Sequence, residues 1–341
     1  MRRVHVTSGR VGNRGDSIFI SIAMTTHNGE KFLKKQLDSI LSQSHENFEL
    51  IVSDDCSTDS TLSILQSYAR RDSRIKIYRN DKCLGLIKNF EKAISLCSAD
   101  YIALSDQDDI WDSDKLKVQI SAILDVERKN PGIPVMVHSD LTTIDKDDRT
   151  IGSSYMGRKG YVLKNDKDLA HILGPNGVMG NTMMFNRKLL EHAMPFPRYL
   201  AVHDYWLALI NELYGKRVTL RLPLVKYRIH GNNSSNHSFR LLKKGCFSIG
   251  KILRREFCLP YRCIAREYLL HEILKTRDLS KRDKWIIKSF MDYLELKGDR
   301  LNIFFRMRRY GLLKRRLTNQ IFLFFAIMLA KDSCTRFEHK S

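Results

Sequence analysis

The sequence predicts an α/β protein with a mostly parallel sheet and flanking helices, followed by a basic helical region. From residue 18 to about 115, short apolar and β-branched runs alternate with segments whose apolar residues have helical spacing. Such alternation indicates right-handed βαβ units. The charge also divides the chain, because residues 241 to 341 carry 24 Lys/Arg and 10 Asp/Glu whereas the first 240 carry 34 and 28.

The first half contains four predicted strands, each followed by a helix. The strands cover residues 18 to 24, 48 to 55, 75 to 80 and 100 to 106. The intervening helices fall within 25 to 44, 57 to 71 and 86 to 97. Asn28 or Thr26 is expected to cap the first of these helices.

The pattern after residue 115 is less regular. It predicts a helix over 115 to 130, a strand over 135 to 145, and a Gly-rich turn, strand and helix start within 175 to 190. A helix from 203 and a strand pair from 217 follow, and only helical patterns remain after about 240. We therefore predict a flexible leader (1 to 16), a main domain (17 to 238) and a basic helical region (239 to 341).

The cysteines and the apolar segments indicate in which cellular compartment the protein works. The seven cysteines are odd in number and scattered without a CxxC pair, which argues against a disulfide framework or zinc site and fits a reducing compartment. Residues 1 to 17 lack the apolar core of a secretory signal. The longest apolar run, 321 to 330, is shorter than the ~20 residues that span a bilayer. These features predict a cytoplasmic protein whose C-terminal apolar segment either lies on an anionic membrane surface or packs on the main domain.

Polar and acidic residues follow three of the predicted strands, which end in "TTHN", "SDDCST" and "SDQDD". In open α/β sheets, ligands bind outside the carboxyl ends of the strands. Asp106 and Asp108 suit a divalent cation such as Mg²⁺ or Mn²⁺. The alternative is a solvated acidic loop that caps the next helix through Asp109 or Asp112. An EF-hand is excluded because Trp111 stands where the loop needs Gly.

Two further stretches permit both structural and chemical roles. In "HDYW", His203 and Asp204 begin a helix, where Asp204 is either a cap or a general base beside aromatic residues. In "YRIHGNN", Arg228 and His230 precede a turn, and a histidine in such a position is usually structural.

Together these stretches resemble a known family. The segment "SIAMTTHNGEKFLKKQLDSILSQSHENFELIVSDDCSTDST", followed by "LGLIKNF" and "ALSDQDDIW", resembles glycosyltransferase family 2, whose inverting enzymes have the GT-A fold. The spellings "SDQDDIW", "HDYW" and "YRIHGNN" are most similar to its rhamnosyltransferase-like branch, which acts in surface polysaccharide assembly. The resemblance covers roughly residues 17 to 236.

The resemblance implies roles for individual residues. Asp204 matches the catalytic base, and Asp106, Asp108 and His230 match the positions that hold Mn²⁺ or Mg²⁺ in the DxD site. The positions that match nucleotide-sugar contacts are Thr25, Thr26, Asn28, Asp54, Asp55, Lys88, Asn89, Asp106 and Gln107. The expected donor and acceptor pocket comprises Trp111, His203, Tyr205 and Trp206. One departure is Cys56, where the family usually has Gly, so a positive φ there would be strained.

The resemblance also implies partners. These are a dTDP- or UDP-linked sugar donor, a glycan or lipid-linked acceptor, and peripheral contact with the inner face of the cytoplasmic membrane. The composition and the motifs also leave two other classes of protein open. A nucleic-acid-binding protein fits the net charge of +20 but would need a basic ligand edge, and this edge is acidic. A metal-dependent nucleotidyltransferase or phosphodiesterase would need a second metal-ligand cluster.

Overall fold

The computed structural model describes residues 18 to 161, 163 to 174, 176 to 231, 264 to 313 and 317 to 329. The strands are β1 Ile20–Thr26, β2 Phe48–Asp54, β3 Ile75–Arg79, β4 Tyr101–Ser105, β5 Ile110–Trp111, β6 Val135–Ile144, β7 Thr150–Gly152, β8 Met183–Asn186 and β9 Lys216–Arg228. The first eight helices are α1 Glu30–Leu41, α2 Thr61–Ala69, α3 Leu86–Ser95, α4 Lys115–Glu127, α5 Tyr155–Lys159, α6 Leu169–Leu173, α7 Leu190–Ala193 and α8 His203–Tyr214. Four more follow: α9 Ile264–Thr276, α10 Lys281–Glu295, α11 Arg300–Arg309 and α12 Leu317–Leu329. The predicted leader and the boundary at 238/239 lie outside the described residues.

All the strands belong to one sheet, in the order β3-β2-β1-β4-β8-β6-β9-β5, with β7 paired to β6. The β3-β2-β1-β4 half is parallel, as the βαβ pattern predicts. Strand β8 runs antiparallel to both β4 and β6, so the second half is mixed. Every residue of β1 and β2 is buried, which is typical of strands covered by helices on both faces.

Two apolar cores lie on opposite faces of the sheet. The first packs α1, α2 and α4 against the sheet, and Leu33, Leu37 and Ile40 of α1 are fully buried in it at helical spacing. The second packs α3, α6 and α8 against the other face. Because both faces are covered there, the loops that follow the strands are where this half of the sheet can meet a ligand.

The C-terminal helices extend the second core. Leu270 of α9, Phe290 of α10 and Ile303 of α11 are fully buried in the same cluster as residues of α8. In α12, Leu323 and Ile327 join this cluster, whereas one face of the helix remains exposed. The apolar segment therefore packs on the rest of the protein through one of its faces. Among the helices that the structure describes, none has both the length and the apolar character needed to cross a bilayer.

The structure corrects two sequence expectations about local elements. The stretch from 217 is a single strand rather than a strand pair, and a register shift near Asp140 lets Pro223 lie within it. The first helix has Gly29 at its N-cap instead of Asn28 or Thr26. Asn28 has a φ of 47°, and Thr26 remains in β1 with its hydroxyl bonded to Asp54. Both side chains thus hold the loops at the strand ends.

Candidate active site

The carboxyl ends of β1, β2 and β4 lie side by side, because β1 pairs in parallel with both neighbours. The end of β9 reaches the same edge, where Arg228 and His230 contact Asp109 and Asp108. The start of α8 adds Asp204, whose charge acts on Asp106. The fold therefore brings together residues that are up to about 200 positions apart in the sequence.

The carboxylate of Asp54 is fully buried beneath this edge. It accepts hydrogen bonds from the Thr26 hydroxyl (2.8 Å), the Ser57 amide (3.0 Å) and the Ser57 hydroxyl (2.6 Å). Thr26 is buried as well. Both residues match nucleotide-binding positions, but here they hold the loop after β2, and a ligand could reach Asp54 only if this network opened.

Asp55, which is 6% exposed, is held in a similar way. Its oxygens accept hydrogen bonds from the Leu84 amide (2.7 Å), the Asn80 side chain (2.8 Å) and the Gly85 amide (2.9 Å). Burial alone raises the pKa of Asp55, but these hydrogen bonds outweigh it and bring the pKa below its usual value. Asp55 is therefore an ionised carboxylate at neutral pH.

The two residues predicted from α3 have different surroundings. Asn89 is buried, accepts a hydrogen bond from Asn80 (3.0 Å) and donates one to the Ser53 carbonyl (2.9 Å). Asn89 therefore positions Asn80, which in turn positions Asp55. Lys88 is exposed and pairs with Glu91 on the same helix at 2.5 Å. Its ammonium group is free to move, since exposed pairs of this kind contribute little.

Gln107 joins the DxD loop to the end of β1. Its Oε1 accepts a hydrogen bond from the His27 amide (2.9 Å), and its Nε2 donates one to the His27 carbonyl (3.0 Å). This clamp requires glycine at position 29, because a Cβ there would stand 2.2 Å from the Gln107 Oε1 atom. The side-chain amide of Gln107 thus holds the backbone of His27. Thr25 is buried near the end of β1.

His230 lies against Asp108, and the charge of Asp108 acts on Asp106. The Nε2 atom of His230 is 2.7 Å from the Oδ2 atom of Asp108, and both side chains are about one-sixth exposed. Burial raises the pKa of Asp106 to about 7, and the charges of Asp108 and Asp204 add to the effect. A cation would relieve this repulsion, and carboxylate oxygens with an imidazole are donors that Mn²⁺ or Mg²⁺ accepts. The residues present therefore fit the divalent ion that the resemblance implies.

Asp204 lies in the first turn of α8, as the sequence predicts. Burial raises its pKa to about 6, against the effect of hydrogen bonds from the Gly180 amide (3.1 Å) and the Tyr205 amide. Gly180 lets the chain approach closely, because a Cβ at that position would be 3.0 Å from the His203 ring. A fixed carboxylate with a pKa just below 7 is suited to accept a proton at neutral pH.

The four residues expected in the donor and acceptor pocket are all largely buried. Trp206 is 3% exposed and donates to the Ala193 carbonyl (2.8 Å), while Trp111 is 4% exposed beneath the ammonium group of Lys115. His203 stacks on Phe90, and burial lowers its pKa to about 3, so its ring is neutral. Both tryptophans are buried under the site in this structure, and their place in a donor and acceptor pocket stays a prediction.

Tyr205 has a different neighbour. The guanidinium group of Arg266, in α9, lies 4.4 Å from the centre of the Tyr205 ring. This contact links the C-terminal helices to the helix that carries Asp204. Tyr205 is 5% exposed, so it too is mainly a packing residue in this structure.

Asp109 has a role that the sequence did not reveal. It is fully buried, and its oxygens accept hydrogen bonds from the Asn181 side chain and the Arg228 amide. Burial raises its pKa well above the usual value, and Asp108 and Asp106 contribute to the rise. Asp114 takes the N-cap position of α4 instead. The sequence "DD" at 108 and 109 suits a helix cap equally well. Sequence alone could therefore not show that Asp109 is buried and joins Asn181 to Arg228.

Arg228 is the second residue whose role emerges only in three dimensions. Its side chain is fully buried, donates to the Asp108 carbonyl (2.9 Å) and stacks over Phe32 at 4.6 Å. It therefore fixes the backbone of the DxD loop from β9. The sequence hint of this role was that Arg228 lies two residues before His230, which indicates only that both lie at the end of the same strand.

The chain is similar to proteins of one enzyme family. The model of the family described as "Glycosyl transferase family 2" matches residues 21 to 192. An uncharacterized glycosyltransferase of Haemophilus influenzae is 32% identical over 229 residues, which cover 64% of this chain and 67% of that protein. A protein of Escherichia coli, the UDP-Glc:alpha-D-GlcNAc-diphosphoundecaprenol beta-1,3-glucosyltransferase WfgD, is 26% identical over 272 residues, covering 76% and 94%.

A solved structure supports the predicted fold. The structure of S. aureus TarS 1-349 in complex with UDP-GlcNAc matches with a TM-score of 0.57 and 19% identity, covering 91% of this chain and 79% of that one. The predicted GT-A architecture, a Rossmann-like sheet with flanking helices and a helical C-terminal region, is thereby confirmed.

Proposed function

Because the chain belongs to glycosyltransferase family 2, we propose that it is an inverting enzyme with a nucleoside-diphosphate sugar as donor. The transferred sugar is rhamnose or another hexose, and the acceptor is a glycan or a lipid-linked glycan. The observation that carries the proposal is the presence in one site of Asp204, a partly buried carboxylate with a pKa of about 6, and the mutually repelling carboxylates of Asp106 and Asp108. Asp204 supplies a proton acceptor, and Asp106 and Asp108 supply a site that attracts a cation.

Asp106, Asp108 and His230 are proposed to hold Mn²⁺ or Mg²⁺. When bound, the ion supplies Lewis-acid neutralisation of the charge that develops on the leaving diphosphate. Arg228 and Gln107 keep the DxD loop in place, through the Asp108 carbonyl and the His27 backbone respectively. The carboxylates are therefore held in place before substrate binds, which is the condition for strong electrostatic stabilisation.

Asp204 is proposed to take the proton of the acceptor hydroxyl as its oxygen attacks the anomeric carbon. In-line attack from the side opposite the diphosphate inverts that carbon. The Gly180 amide holds the Asp204 carboxylate, and burial keeps its proton affinity high enough for this role. No covalent sugar–enzyme intermediate is needed, since one base and one leaving-group site complete the reaction.

The donor's nucleoside is proposed to lie at the ends of β1 and β2. Asp55 faces this region as an ionised acceptor, and Asn28 is fixed beside it by hydrogen bonds that include the Thr58 amide (2.8 Å). An acceptor at this place suits the imide N–H of uracil or thymine, so we propose UDP or dTDP as the carrier. WfgD is named for a UDP-linked donor and a diphosphoundecaprenol acceptor, which supports a donor of this class and a lipid-linked acceptor in surface polysaccharide synthesis.

The C-terminal helices are proposed to contact the membrane surface from the cytoplasmic side. Leu301 and Phe305 lie four residues apart on α11, and Ile321 and Phe325 lie four apart on α12, and all four are about half exposed. The rings of Phe304 and Phe324 join the two helices at 5.1 Å. Exposed basic residues at the end of α11, among them Arg309, complement anionic headgroups. An enzyme acting on a lipid-linked acceptor would be held near its substrate in this way.

Nucleotide binding and transfer test the enzymatic proposal. The melting temperature is measured with UDP, dTDP, GDP and ADP, each with and without Mn²⁺, for the wild type and Asp108→Asn. We expect UDP or dTDP to stabilise the wild type in a manner that depends on Mn²⁺, and Asp108→Asn to lose that dependence. Absence of any nucleotide response, together with tight binding to DNA or RNA, would overturn the proposal in favour of a nucleic-acid-binding protein.

Vesicle sedimentation tests the membrane contact separately. Wild type and a Phe305→Ser/Phe325→Ser variant are mixed with vesicles containing anionic phosphatidylglycerol or only neutral phosphatidylcholine. We expect the wild type to sediment with anionic vesicles, and the variant to bind at least tenfold more weakly. Equal binding by both proteins would show that this surface is not the contact.

A further inference from the structure

A second set of potential metal ligands lies at the same edge of the sheet. The side chains of His27, Asp55 and Cys83 each offer one ligand atom, and these three atoms all lie within 4.8 Å of one another. They come from three different loops, after β1, after β2 and after β3. The carboxylates and histidine of the DxD site belong to other loops, so the two sets are separate.

Cys56 adds a second thiol to this group. The Cys83 thiol is within hydrogen-bonding reach of Cys56 and raises its pKa, together with burial. The Cys56 sulfur lies 3.3 Å from the Asn80 carbonyl, and the Cys83 sulfur lies 3.5 Å from the Asp55 carbonyl. The two sulfurs thus lie next to each other, beside the backbone around Asp55. We refer to His27, Asp55, Cys56 and Cys83 as the thiol cluster.

The cluster is held in position by the surrounding structure. A ring nitrogen of His27, Nδ1, lies 2.6 Å from the Asp55 carbonyl, and Gln107 fixes the His27 backbone at both its amide and its carbonyl. Asp55 is anchored by the Leu84 and Gly85 amides. Only small movements of exposed side chains would be needed to close the cluster around an ion, because His27 and Cys83 are both exposed.

The ligand types select the kind of ion. Two thiols, an imidazole and a carboxylate form a set that Zn²⁺ accepts in tetrahedral geometry, whereas Mg²⁺ prefers oxygen ligands alone. Ligands around tetrahedral zinc are roughly 3.5 Å apart, so the separation of the His27, Asp55 and Cys83 ligand atoms, within 4.8 Å, is close to that geometry. Cys56 lies beside Cys83 as the fourth ligand. Asp55 is already ionised, and zinc binding would release the thiol protons to solvent.

We propose that the thiol cluster is a binding site for a thiophilic divalent cation, best satisfied by Zn²⁺. The CxxC spacing that marks most cysteine zinc sites is absent, because here the ligands are collected from three βα loops. The site is independent of the Mn²⁺ or Mg²⁺ position at Asp106 and Asp108.

The location gives the site a regulatory consequence, which rests on the proposed function. Asp55 is the residue proposed to face the nucleobase of the donor, and a zinc ion would bind the same carboxylate. Zinc and the nucleotide therefore compete, and free Zn²⁺ inhibits transfer by excluding the donor. The inhibition depends on Cys83, which no step of the transfer reaction requires.

Cobalt(II) spectroscopy tests the site directly. The full-length protein, kept reduced with a phosphine, is titrated with Co²⁺, whose thiolate complexes give a charge-transfer absorption in the near ultraviolet. Because the chain has other cysteines, the measurement is the difference between wild type and Cys83→Ser. We expect the wild type to show one additional thiolate-bound equivalent, displaced by Zn²⁺, and His27→Ala to weaken it at least tenfold. Asp108→Asn, as the control at the other site, retains it.

An identical titration in wild type and Cys83→Ser would overturn the proposal. Cys83 is exposed, so its replacement by serine leaves the fold intact, which circular dichroism verifies. The His27→Ala variant gives an independent answer, since it keeps both thiols and removes only a nitrogen ligand.

Nucleotide competition tests the consequence. We expect saturating Zn²⁺ to weaken the binding of UDP or dTDP at least tenfold in the wild type and not in Cys83→Ser. Unchanged nucleotide binding would overturn the competition, although the cobalt difference would still establish the site. If the protein binds no nucleotide at all, the proposed function fails, and the cobalt titration still decides whether the metal site exists.

Discussion

Two groups of carboxylates share one edge of the sheet, and their surroundings are opposite. Asp54 and Asp55 accept three hydrogen bonds each from neighbouring loops, and the pKa of Asp55 is lowered. Asp106 and Asp204 are instead dominated by burial, which raises their pKa values to about 7 and about 6. The Gly180 and Tyr205 amides only partly offset this effect at Asp204.

This difference separates the carboxylates that hold the loops in place from those proposed to act in the reaction. Hydrogen bonds from the protein hold the first group in place, and the group shapes the loops that meet the donor. In the second group, burial and neighbouring negative charges make the ionised carboxylates unfavourable, and a bound cation or a proton relieves this. Perturbed carboxylates that converge in this way are typical of functional sites. Asp109 belongs between the two groups, since its pKa is raised although it is fully enclosed by protein donors.

The largest expected effect is on catalysis. Asp204→Asn removes the proton acceptor but keeps the side chain's shape, so we expect the transfer rate to fall by about 10³-fold. The affinity for UDP or dTDP should be unchanged within twofold. Sugar transfer and nucleotide binding are measured on the same preparation. Asp112→Asn, which changes an exposed acid in a nearby loop, serves as the control and should transfer at the wild-type rate. A rate near wild type for Asp204→Asn would remove Asp204 from the mechanism.

The second effect is on stability and has opposite signs in the two groups. Asp54→Ala leaves buried donors of Thr26 and Ser57 unpaired, so we expect it to lower the free energy of unfolding by about 3 kcal/mol. Asp106→Asn relieves charge repulsion, so in the presence of a chelator we expect a gain of about 0.5 kcal/mol after solvent screening. Chemical denaturation at pH 8 measures both variants. Destabilisation of similar size in both would contradict the division between the groups.

The third prediction concerns the pH dependence of transfer. Asp204 acts as a base only when ionised, and its pKa is raised from 3.8 to about 6. The rate should therefore be constant above about pH 7, halve near pH 6 and fall about tenfold for each pH unit below. The initial rate at saturating donor is measured from pH 5 to pH 8, with circular dichroism to verify folding. A rate that stays level down to pH 5 would show that the base has an ordinary carboxylate pKa.

The sequence predicted most of the parallel half of the fold, because β1, β2 and β4 are almost entirely buried and helices with apolar residues at helical spacing alternate with the strands. It also indicated which strand ends carry acids. It could not show that Asp109 is buried while Asp108 is partly exposed, since neighbouring residues of a loop differ only in where the chain turns. Nor could it bring Cys56 to Cys83, because their approach depends on the pairing of β2 with β3.

Cys56 is the position where the backbone geometry tests a sequence expectation most directly. Its φ is 58°, the left-handed conformation that a glycine would adopt without strain. Ser57, the next residue, is bonded to Asp54 through both its amide and its hydroxyl, so the scaffold group holds Cys56 in this conformation. We expect Cys56→Gly to be more stable than Cys56→Ala by about 1 kcal/mol, because both lack the thiol and only alanine retains the strain. Thermal unfolding of the two variants, with Cys83→Ala as a control at an exposed thiol, measures the difference. Equal stability of the glycine and alanine variants would mean that the loop relaxes freely, and hence that the hydrogen bonds around Asp54 do not fix the backbone.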